Sequence, residues 1–368
     1  MQIISTPKYF IGFLAVAVLL VQCGSPQPKE ETSKDKVFDE TVFSGEAQGT
    51  TYTIRYIGDT TSYQTSVDSL LERFDKDLSN WREGSLINQI NAHDRTDTVF
   101  AFYDSTKYFS VLFDVSREIW QKTEGAFDPT VYPLVELWGF GLTNRQEVNE
   151  TMVEEVRSKV GMEPANVDMI EMNRDEYIYD VTHIRKGQEG VRMDFNAIAQ
   201  GFSVDLIGEL LEERGIENYM VELGGEVYCK GVNSKGTDWR IAVDKPKTEG
   251  EREFQAVLNV NNSGVATSGS YRKFYEEDGV RYSHAIDPRT GYPVQHSLLS
   301  VTVMTSSCAF ADAYATAFLV MGKEASQQFL EENADMGLEV YLIWDEDGEF
   351  KTWSTPGMAE KIEELTNS

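Results

Sequence analysis

The sequence contains little cysteine and little positive charge. Three cysteines in 368 residues are too few for a disulfide framework, so a hydrophobic core must hold the fold. Lysine and arginine number 33 against 61 aspartates and glutamates, and the formal charge of −28 argues against a nucleic-acid partner. No internal repeat or low-complexity tract follows residue 40. The length predicts two to three lobes or one large domain, with enough chain to line a deep pocket.

Residues 1–22 have the pattern of a targeting segment. The apolar run at 9–21 is too short to span a ~30 Å hydrocarbon core, and it ends just before Cys23. This resembles a bacterial lipoprotein signal, although Gln22 replaces the usual small residue; an ordinary secretory signal and an uncleaved anchor are the alternatives. The mature protein would be exported and held on the periplasmic or extracytoplasmic side of a bacterial membrane only by a lipid on Cys23. Residues 23–40 are polar, contain two prolines and are expected to form a flexible tether.

The patterns after the tether predict the α+β class, with mixed, largely antiparallel sheets packed with helices, because strands and helices do not alternate strictly. Apolar residues at helical spacing predict one helix around residues 67–78, and a second is expected over 104–124. A capping box of Thr151 and Glu154 predicts the start of a third. Cys229 and Cys308 are expected to be buried thiols. The predicted strands cover 52–57, 191–195, 239–243, 254–260, 298–304 and 338–344.

A turn-rich segment at 125–141 combines two prolines, three glycines and four aromatic residues. Such a loop suits a flat ring, and the carboxylate of Asp128 is able to accept hydrogen bonds from a heterocycle. The alternative is that Asp128 caps a turn within a packed loop.

The segment 193–205 is expected to pass from a strand ending at Asp194 into a helix. Backbone N–H groups at the helix start suit an anion, and a free carbonyl such as that of Ala197 suits a metal ion. The alternative is a tight turn that binds nothing.

A hydroxyl-rich glycine loop at 264–272 contains Thr267 and Ser268, which suit phosphate oxygens. His284, one of four histidines, follows close in sequence and is a candidate base. A structural role for this histidine is the alternative.

Asp312 and Thr316 are four residues apart in a predicted helix, so the carboxylate and the hydroxyl share one face. Hard oxygen donors of this kind suit Mg²⁺. Stabilisation of Asp312 by the helix dipole is the alternative.

Taken together, these motifs resemble the ApbE family of bacterial FAD:protein FMN transferases. The resemblance runs from about Phe43 to Trp353, and five motifs occur in the family's order. They are Gly49-Thr50-Thr51-Tyr52, the stretch from Leu78-Ser79 through Ser85 to Ile90-Asn91, Phe127-Asp128-Pro129-Thr130 with Leu137-Trp138-Gly139-Phe140-Gly141, the blocks at 266–271 and 288–293, and Ala311-Asp312-Ala313 with Ala315-Thr316.

The resemblance implies an ApbE-like fold with a catalytic domain at 41–356 and a C-terminal tail at 357–368. It implies Mg²⁺-dependent transfer of FMN from FAD to a threonine of an acceptor redox protein that carries a flavinylation motif, with release of AMP. The metal ligands would be Asp312, Thr316 and the carbonyl of Ala197. The transfer also needs a base for the threonine proton; His284 is the candidate, and Asp287 or Asp312 is able to share that role. The implied flavin contacts are Gln48, Trp81, Ala126, Phe127, Asp128, Asp194, Gln200 and Ile286, with Thr267 and Ser268 lining the same pocket.

The chain departs from the family pattern near the expected nucleotide. Gln48 replaces the usual Met, Gln200 replaces the usual Lys, and Asn196-Ala197 stands where the family has Gly-Gly. Trp81 takes a position that is commonly Tyr, and its larger ring still suits stacking. Two other functions stay open: an FAD pyrophosphatase that releases FMN and AMP, and a flavin-binding lipoprotein without catalysis.

Overall fold

The computed structural model describes residues 39–141, 147–170, 181–247, 253–270, 274–277 and 280–365. The expected signal, the lipidation site Cys23 and nearly all of the tether lie outside these residues. Within the described ranges, no helix is both long and apolar enough to cross a bilayer.

An eight-stranded antiparallel sheet forms the centre of the domain, which confirms the predicted class. Its strand order is β1-β2-β6-β7-β10-β15-β16-β17. Two three-stranded sheets, β18-β9-β8 and β3-β5-β4, and two hairpins, β11-β12 and β13-β14, complete the strands. The strands are β1 (Glu40–Ala47), β2 (Thr50–Ile57), β3 (Phe100–Tyr103), β4 (Val167–Ile170), β5 (Val181–Lys186), β6 (Tyr219–Leu223), β7 (Glu226–Lys230), β8 (Trp239–Asp244), β9 (Phe254–Val260), β10 (Ser263–Gly269), β11 (Phe274–Glu277), β12 (Val280–Ser283), β13 (Ile286–Asp287), β14 (Tyr292–Pro293), β15 (Leu298–Thr305), β16 (Glu339–Glu346), β17 (Glu349–Ser354) and β18 (Ile362–Glu364).

Helices pack against both the sheet and one another. The long α6 and α7 lie side by side over the central strands, and α7 contacts β10 and β15. The helices are α1 (Gln64–Leu78), α2 (Leu86–Ala92), α3 (Tyr108–Lys122), α4 (Tyr132–Leu137), α5 (Glu150–Arg157), α6 (Asn196–Glu213), α7 (Cys308–Met321), α8 (Lys323–Glu332) and α9 (Pro356–Ala359).

Five of the six predicted strands are confirmed, in β2, β8, β9, β15 and β16. The exception is 191–195, which pairs with no strand in the described part of the chain. Side-chain amides supply its hydrogen bonds instead: Asn91 Oδ1 accepts from the Met193 N–H at 2.8 Å, and the Met193 carbonyl accepts from Asn80 and Asn91. The strand prediction was therefore wrong, because side-chain amides bind the N–H and C=O groups of Met193 that a neighbouring strand would bind in a sheet.

The predicted helices exist with different ends. The apolar residues of α1 that recur at helical spacing are all buried, namely Val67, Leu70, Leu71, Phe74 and Leu78. The second helix, α3, begins at Tyr108 rather than at residue 104, because Lys107 adopts a left-handed φ of 60°. The third, α5, is capped by Asn149, whose side chain accepts from Met152 N at 3.1 Å, so the capping box at Thr151 was wrong.

The C-terminal residues belong to the fold. Residues 356–365, most of the expected tail, include α9 and β18, and β18 pairs with β9. Cys229 and Cys308 are free thiols and both are buried, as predicted.

Candidate functional site

Two carboxylates tie α6 and α7 together, each accepting hydrogen bonds from the backbone of the other helix. Asp205 of α6 accepts from the N–H groups of Cys308 and Ala309 at 2.8 and 2.9 Å, at the start of α7. Asp312 of α7 accepts from the N–H of Gly201 at 3.1 Å. The two bonds to Asp205 satisfy N–H groups at the start of α7 that would otherwise need a cap. The bond from Gly201 fixes the position of the Asp312 carboxylate.

Close contact between the helices depends on Gly201. A Cβ at this position would lie 2.4 Å from the carbonyl oxygen of Cys308 and 2.9 Å from the Cα of Ala309. Both are backbone atoms, which cannot move aside as a side chain can. Glycine is therefore what allows α6 to approach the first turn of α7.

Asp312 is a buried carboxylate with little to balance its charge. It is 7% exposed, and burial raises its pKa to about 7, while the Gly201 N–H lowers it and Asp205 raises it further. No lysine or arginine among the described residues forms an ion pair with it. Such a group favours either a proton or a bound cation.

The other predicted metal ligands lie around Asp312. Thr316 is one turn further along α7, and its hydroxyl lies 3.1 Å from that of Ser268 in β10. Ala197 is in the first turn of α6, where a regular helix would pair its carbonyl with the N–H of Gly201. Because that N–H donates to Asp312, the Ala197 carbonyl retains capacity for another partner.

These donors fit a small hard cation. They comprise one carboxylate, one hydroxyl and one backbone carbonyl, which are the donor types that Mg²⁺ prefers. A cluster of three or more His, Cys, Asp or Glu side chains does not occur in the described ranges, so these ranges hold no closed cage of such residues.

The two glutamines that replace family residues border α6. Gln48 has a left-handed φ of 52° and donates from Nε2 to the Ser203 hydroxyl at 2.7 Å. Its Oε1 is buried and has no hydrogen-bond partner in the described protein. The amide of Gln200 lies against Gly224, where a Cβ would be 2.7 Å from Nε2. The Gln48 amide therefore contacts a hydroxyl group, and the Gln200 amide lies against the backbone of the turn between β6 and β7.

The Asp128 loop contacts the start of α6. Asp128 Oδ1 accepts from the N–H and the hydroxyl of Thr130 at 2.7 and 2.6 Å, so Asp128 does cap the turn that follows it. The Asp194 N–H donates to the Pro129 carbonyl at 2.7 Å, which joins the loop to the residues before α6. Burial raises the pKa of Asp128 to about 7 and that of Asp194 to about 6.

Residues near the loop have different degrees of exposure. Ala126 and Phe127 are buried, and Ile286 of β13 packs in a cluster with Leu134 and Trp138. Trp81 is 62% exposed on the connection between α1 and α2. This large exposed indole is available to a flat ligand.

His284 is half-buried and lies between β12 and β13, and β13 lies beside α7. Thr267 and Ser268 are adjacent in β10 and point to opposite faces of the sheet. Ser268 faces Thr316, whereas the Thr267 hydroxyl lies 2.9 Å from that of Thr302. The structure therefore brings Ser268, but not Thr267, to the Asp312 side of the sheet.

A cavity of about 470 Å³ opens at the same end of the sheet. Its lining includes Thr50, Gly224, Thr267 and Gly269 at strand ends, with Ala242 and Asp244 of β8. Sequence reasoning missed this cavity and the roles of Gly201 and Asp205, because they depend on contacts between distant segments. The glycine next to Gln200, within an otherwise helical pattern, was the one available signal.

Comparison with known proteins gives a consistent result. The model of the ApbE family matches residues 48–342. Curated relatives named FAD:protein FMN transferase include the protein of Vibrio cholerae, 37% identical over 93% of this chain and 96% of the relative. The protein of Haemophilus influenzae, with the same name, is 35% identical over 97% and 99%.

Solved structures agree with these matches. The flavin transferase ApbE from Vibrio cholerae superposes with a TM-score of 0.75 at 34% identity, covering 88% of this chain and 99% of that chain. The apo flavinyl transferase ApbE of Pseudomonas stutzeri gives a TM-score of 0.75 at 30% identity, covering 88% and 97%. The similarity therefore extends over nearly the whole of each relative.

Proposed function

This chain belongs to the ApbE family, and we propose that it uses Mg²⁺ to move the FMN half of FAD onto an acceptor threonine, releasing AMP. Transfer of FMN from FAD to a protein is the activity named for its relatives, and the chain is a transferase of this kind. One observation supports the metal-dependent part of the proposal. The Asp312 carboxylate is buried, accepts one backbone N–H and forms no ion pair with a basic side chain in the described chain.

The proposed metal ligands are Asp312, Thr316 and the carbonyl of Ala197. Mg²⁺ bound there would neutralise the diphosphate and polarise its oxygens. Asp312 is held by the Gly201 N–H, so its carboxylate is already oriented. Ser268 lies within hydrogen-bond distance of Thr316 and orients that hydroxyl.

The proposed flavin contacts come from segments that contact α6 or the residues before it. Helix α6 has 18 residues, and the positive end of its dipole, at the start of the helix, favours the diphosphate. Trp81 offers an exposed ring face for stacking, and Asp128 holds its loop against the residues before α6. Gln48 Oε1, which lacks a partner in the described protein, is placed to accept a hydrogen bond from the ligand.

The reaction needs alignment, charge neutralisation and a base. The threonine oxygen attacks the FMN phosphorus, an oxygen–phosphorus bond forms, and the bond from that phosphorus to the AMP oxygen breaks. AMP leaves with the electron pair, and the hydroxyl proton passes to a base. We assign this role to His284, with Asp312 as the alternative, and a positioned base contributes ~10²–10⁴-fold to the rate.

The test is to incubate the enzyme with FAD, Mg²⁺ and a protein that carries a flavinylation-type threonine motif. In-gel flavin fluorescence and the added mass of FMN detect the product. Asp312→Asn removes a charge without changing volume and should lower the rate by about 100-fold or more. Asp97→Asn is the matched control, because Asp97 is an exposed carboxylate paired with Arg95.

Each outcome has a separate meaning. An adduct that needs Mg²⁺ and is lost in Asp312→Asn supports the proposal, and an adduct formed equally in EDTA contradicts the metal site. Release of AMP and free FMN without an adduct would identify a pyrophosphatase. FAD that stays bound and intact would identify a flavin carrier.

We also propose that the protein is exported and anchored by a lipid on Cys23. The support is the sequence pattern of residues 1–23. Mass spectrometry of the N-terminal peptide should detect a lipidated Cys23, and Cys23→Ser should release the protein from membranes. A Cys23→Ser protein that remains with the membranes after washing would contradict the lipid anchor.

A further inference from the structure

The central sheet has an unpaired strand edge next to the proposed site. Strand β7 pairs with β10 only from Ser263 to Val265, whereas β15 pairs with β10 on its other side from Gly264 to Gly269. The same register places Gly225, in the turn between β6 and β7, opposite Thr267, so Ser268 and Gly269 extend beyond the end of this hairpin. On this side they have no neighbouring strand in the part of the chain that the structure describes.

The backbone groups at this edge have a defined direction. The Ser270 N–H donates to the Leu299 carbonyl, and the register places these two residues opposite each other. Because hydrogen-bonded pairs alternate along an antiparallel ladder, the backbone of Ser268 also faces β15. The N–H and C=O groups of Thr267 and Gly269 face the opposite side, where β7 has ended.

The cavity at the end of the sheet lies along this edge. Thr267 and Gly269 both line it, and so does the tight turn Gly224-Gly225 that ends β6 and begins β7. Thr267 is exposed. The cavity volume of about 470 Å³, on the Thr267 face of the sheet, has room for side chains of a docked segment that alternate with the one opposite Ser268.

The side chain of Ser268 defines which residue of such a segment would reach the site. Residues directly opposite in an antiparallel pair share one face, with Cβ atoms about 4.5–5.5 Å apart. Ser268 faces Thr316, so a residue opposite Ser268 would present its side chain beside the proposed metal ligands.

We propose that the acceptor protein docks by strand addition, with an extended segment paired antiparallel to Ser268 and Gly269 and its threonine opposite Ser268. This inference rests on the proposed function and adds the binding mode of the protein substrate. The occupant is the acceptor because its hydroxyl must reach the diphosphate, and the edge is continuous with that site. Backbone hydrogen bonds supply the affinity, so the mode depends little on the acceptor's other side chains.

This register predicts which peptide N–H groups are needed. The residue before the threonine lies opposite Gly269 and exchanges backbone hydrogen bonds with it. The threonine itself faces Ser268 in a pair without hydrogen bonds, so its own N–H points away from β10.

The test uses synthetic peptides of about ten residues with a single threonine in a Ser/Gly-rich segment. Fluorescence anisotropy measures their binding to the full enzyme with Mg²⁺ and FAD. N-methylation of the residue before the threonine should weaken binding by about tenfold or more, because its hydrogen bond to Gly269 is lost. N-methylation of the threonine itself should change it less than about threefold. Equal effects, or no binding by any of the peptides, would overturn the inference.

Two variants on one strand provide a matched pair. Ala242→Trp places a large ring in the cavity and should raise the KM for the acceptor protein by about tenfold or more. Arg240→Trp lies two residues away on the same face of β8, outside the cavity lining, and should leave the KM within about twofold. FAD affinity and thermal unfolding of both variants serve as folding controls. Equal KM values in the two variants would count against the cavity as the docking site.

Failure of the docking mode and failure of the proposed function give different results. FMN transfer to the acceptor protein, with peptide binding insensitive to the position of N-methylation, rejects strand addition but keeps the function. Position-dependent binding without FMN transfer rejects the function but keeps the docking site.

Discussion

Replacing Gly201 by alanine should loosen the α6–α7 contact and displace Asp312. The added Cβ would lie 2.4 Å from the Cys308 carbonyl oxygen, so the helices must separate by about 1 Å to restore ordinary contact. Overpacking costs about 1–3 kcal/mol, and loss of the hydrogen bond to the Asp312 carboxylate costs about 1.5–3 kcal/mol. Alanine gains about 1 kcal/mol in helix propensity. The expected net loss is about 2–5 kcal/mol in the free energy of unfolding.

Thermal and denaturant unfolding measure this loss, which corresponds to a fall of about 3–7 °C in Tm at an unfolding entropy of ~2.1 cal/mol/K per residue. The rate of FMN transfer should fall, and the Mg²⁺ concentration for half-maximal rate should rise, because Asp312 loses the N–H that favours its ionised form. Gly208→Ala is the control on the same helix. A Cβ there meets the tip of the Tyr219 side chain at 2.8 Å, so its effect should stay within about 1 kcal/mol.

Two results would refute this reasoning. If Gly201→Ala has the same Tm as the wild-type protein, the backbone of α7 is not the rigid neighbour that the contact implies. If the variant is destabilised but keeps the wild-type Mg²⁺ dependence, the Gly201 hydrogen bond does not position a metal ligand.

Three further predictions concern charge, stacking and capping. Burial raises the pKa values of Asp312 and Asp128 to about 7. Folding therefore favours the protonated form of both carboxyl groups. Their contribution to the free energy of unfolding is full below about pH 4 and is lost as the pH rises through 7. Metal-free protein should melt lower at pH 8 than at pH 5.5, with a smaller difference in Asp312→Asn; an equal difference would exclude Asp312 as a source. Trp81→Ala should raise the KM for FAD about three- to tenfold at unchanged Tm, because an exposed ring contributes to binding rather than folding; a lowered Tm would assign Trp81 a structural role. Asp205→Asn should destabilise the protein by about 2–4 kcal/mol in denaturant unfolding, because an amide N–H₂ would face the N–H groups of α7; wild-type stability would contradict the cap.

The correctly predicted strands are those in which burial alone determines the alternation of apolar and polar residues. In β9, residues alternate between buried and partly exposed positions, and this alternation is visible in the sequence as apolar and polar residues. The segment 191–195 has the same apolar pattern but takes its hydrogen bonds from Asn80 and Asn91, about one hundred residues earlier. No local pattern reports such a partner.

The candidate site likewise has one part that the sequence predicts and one part that depends on distant contacts. The shared face of Asp312 and Thr316 follows from helix geometry and was predictable from their spacing. The bonds that orient Asp312 depend on Gly201, which is 111 residues away in sequence. The strand edge beside the site exists because β10 continues beyond the end of β7, and a difference in strand length is a property of the assembled sheet.

The reciprocal carboxylate bonds between α6 and α7 have a consequence for discrimination between cations. Because each helix holds the backbone of the other, the Asp312 oxygen and the Ala197 carbonyl belong to one stiff unit that resists expansion. Mg²⁺ requires ligands at about 2.0–2.1 Å, whereas Ca²⁺ requires about 2.3–2.6 Å and more of them. At the proposed metal site, a stiff pair of helices would therefore favour the ion with the smaller coordination shell. Excess Ca²⁺ should be a poor substitute in the transfer assay, and loosening the helices through Gly201→Ala should narrow the difference between the two ions.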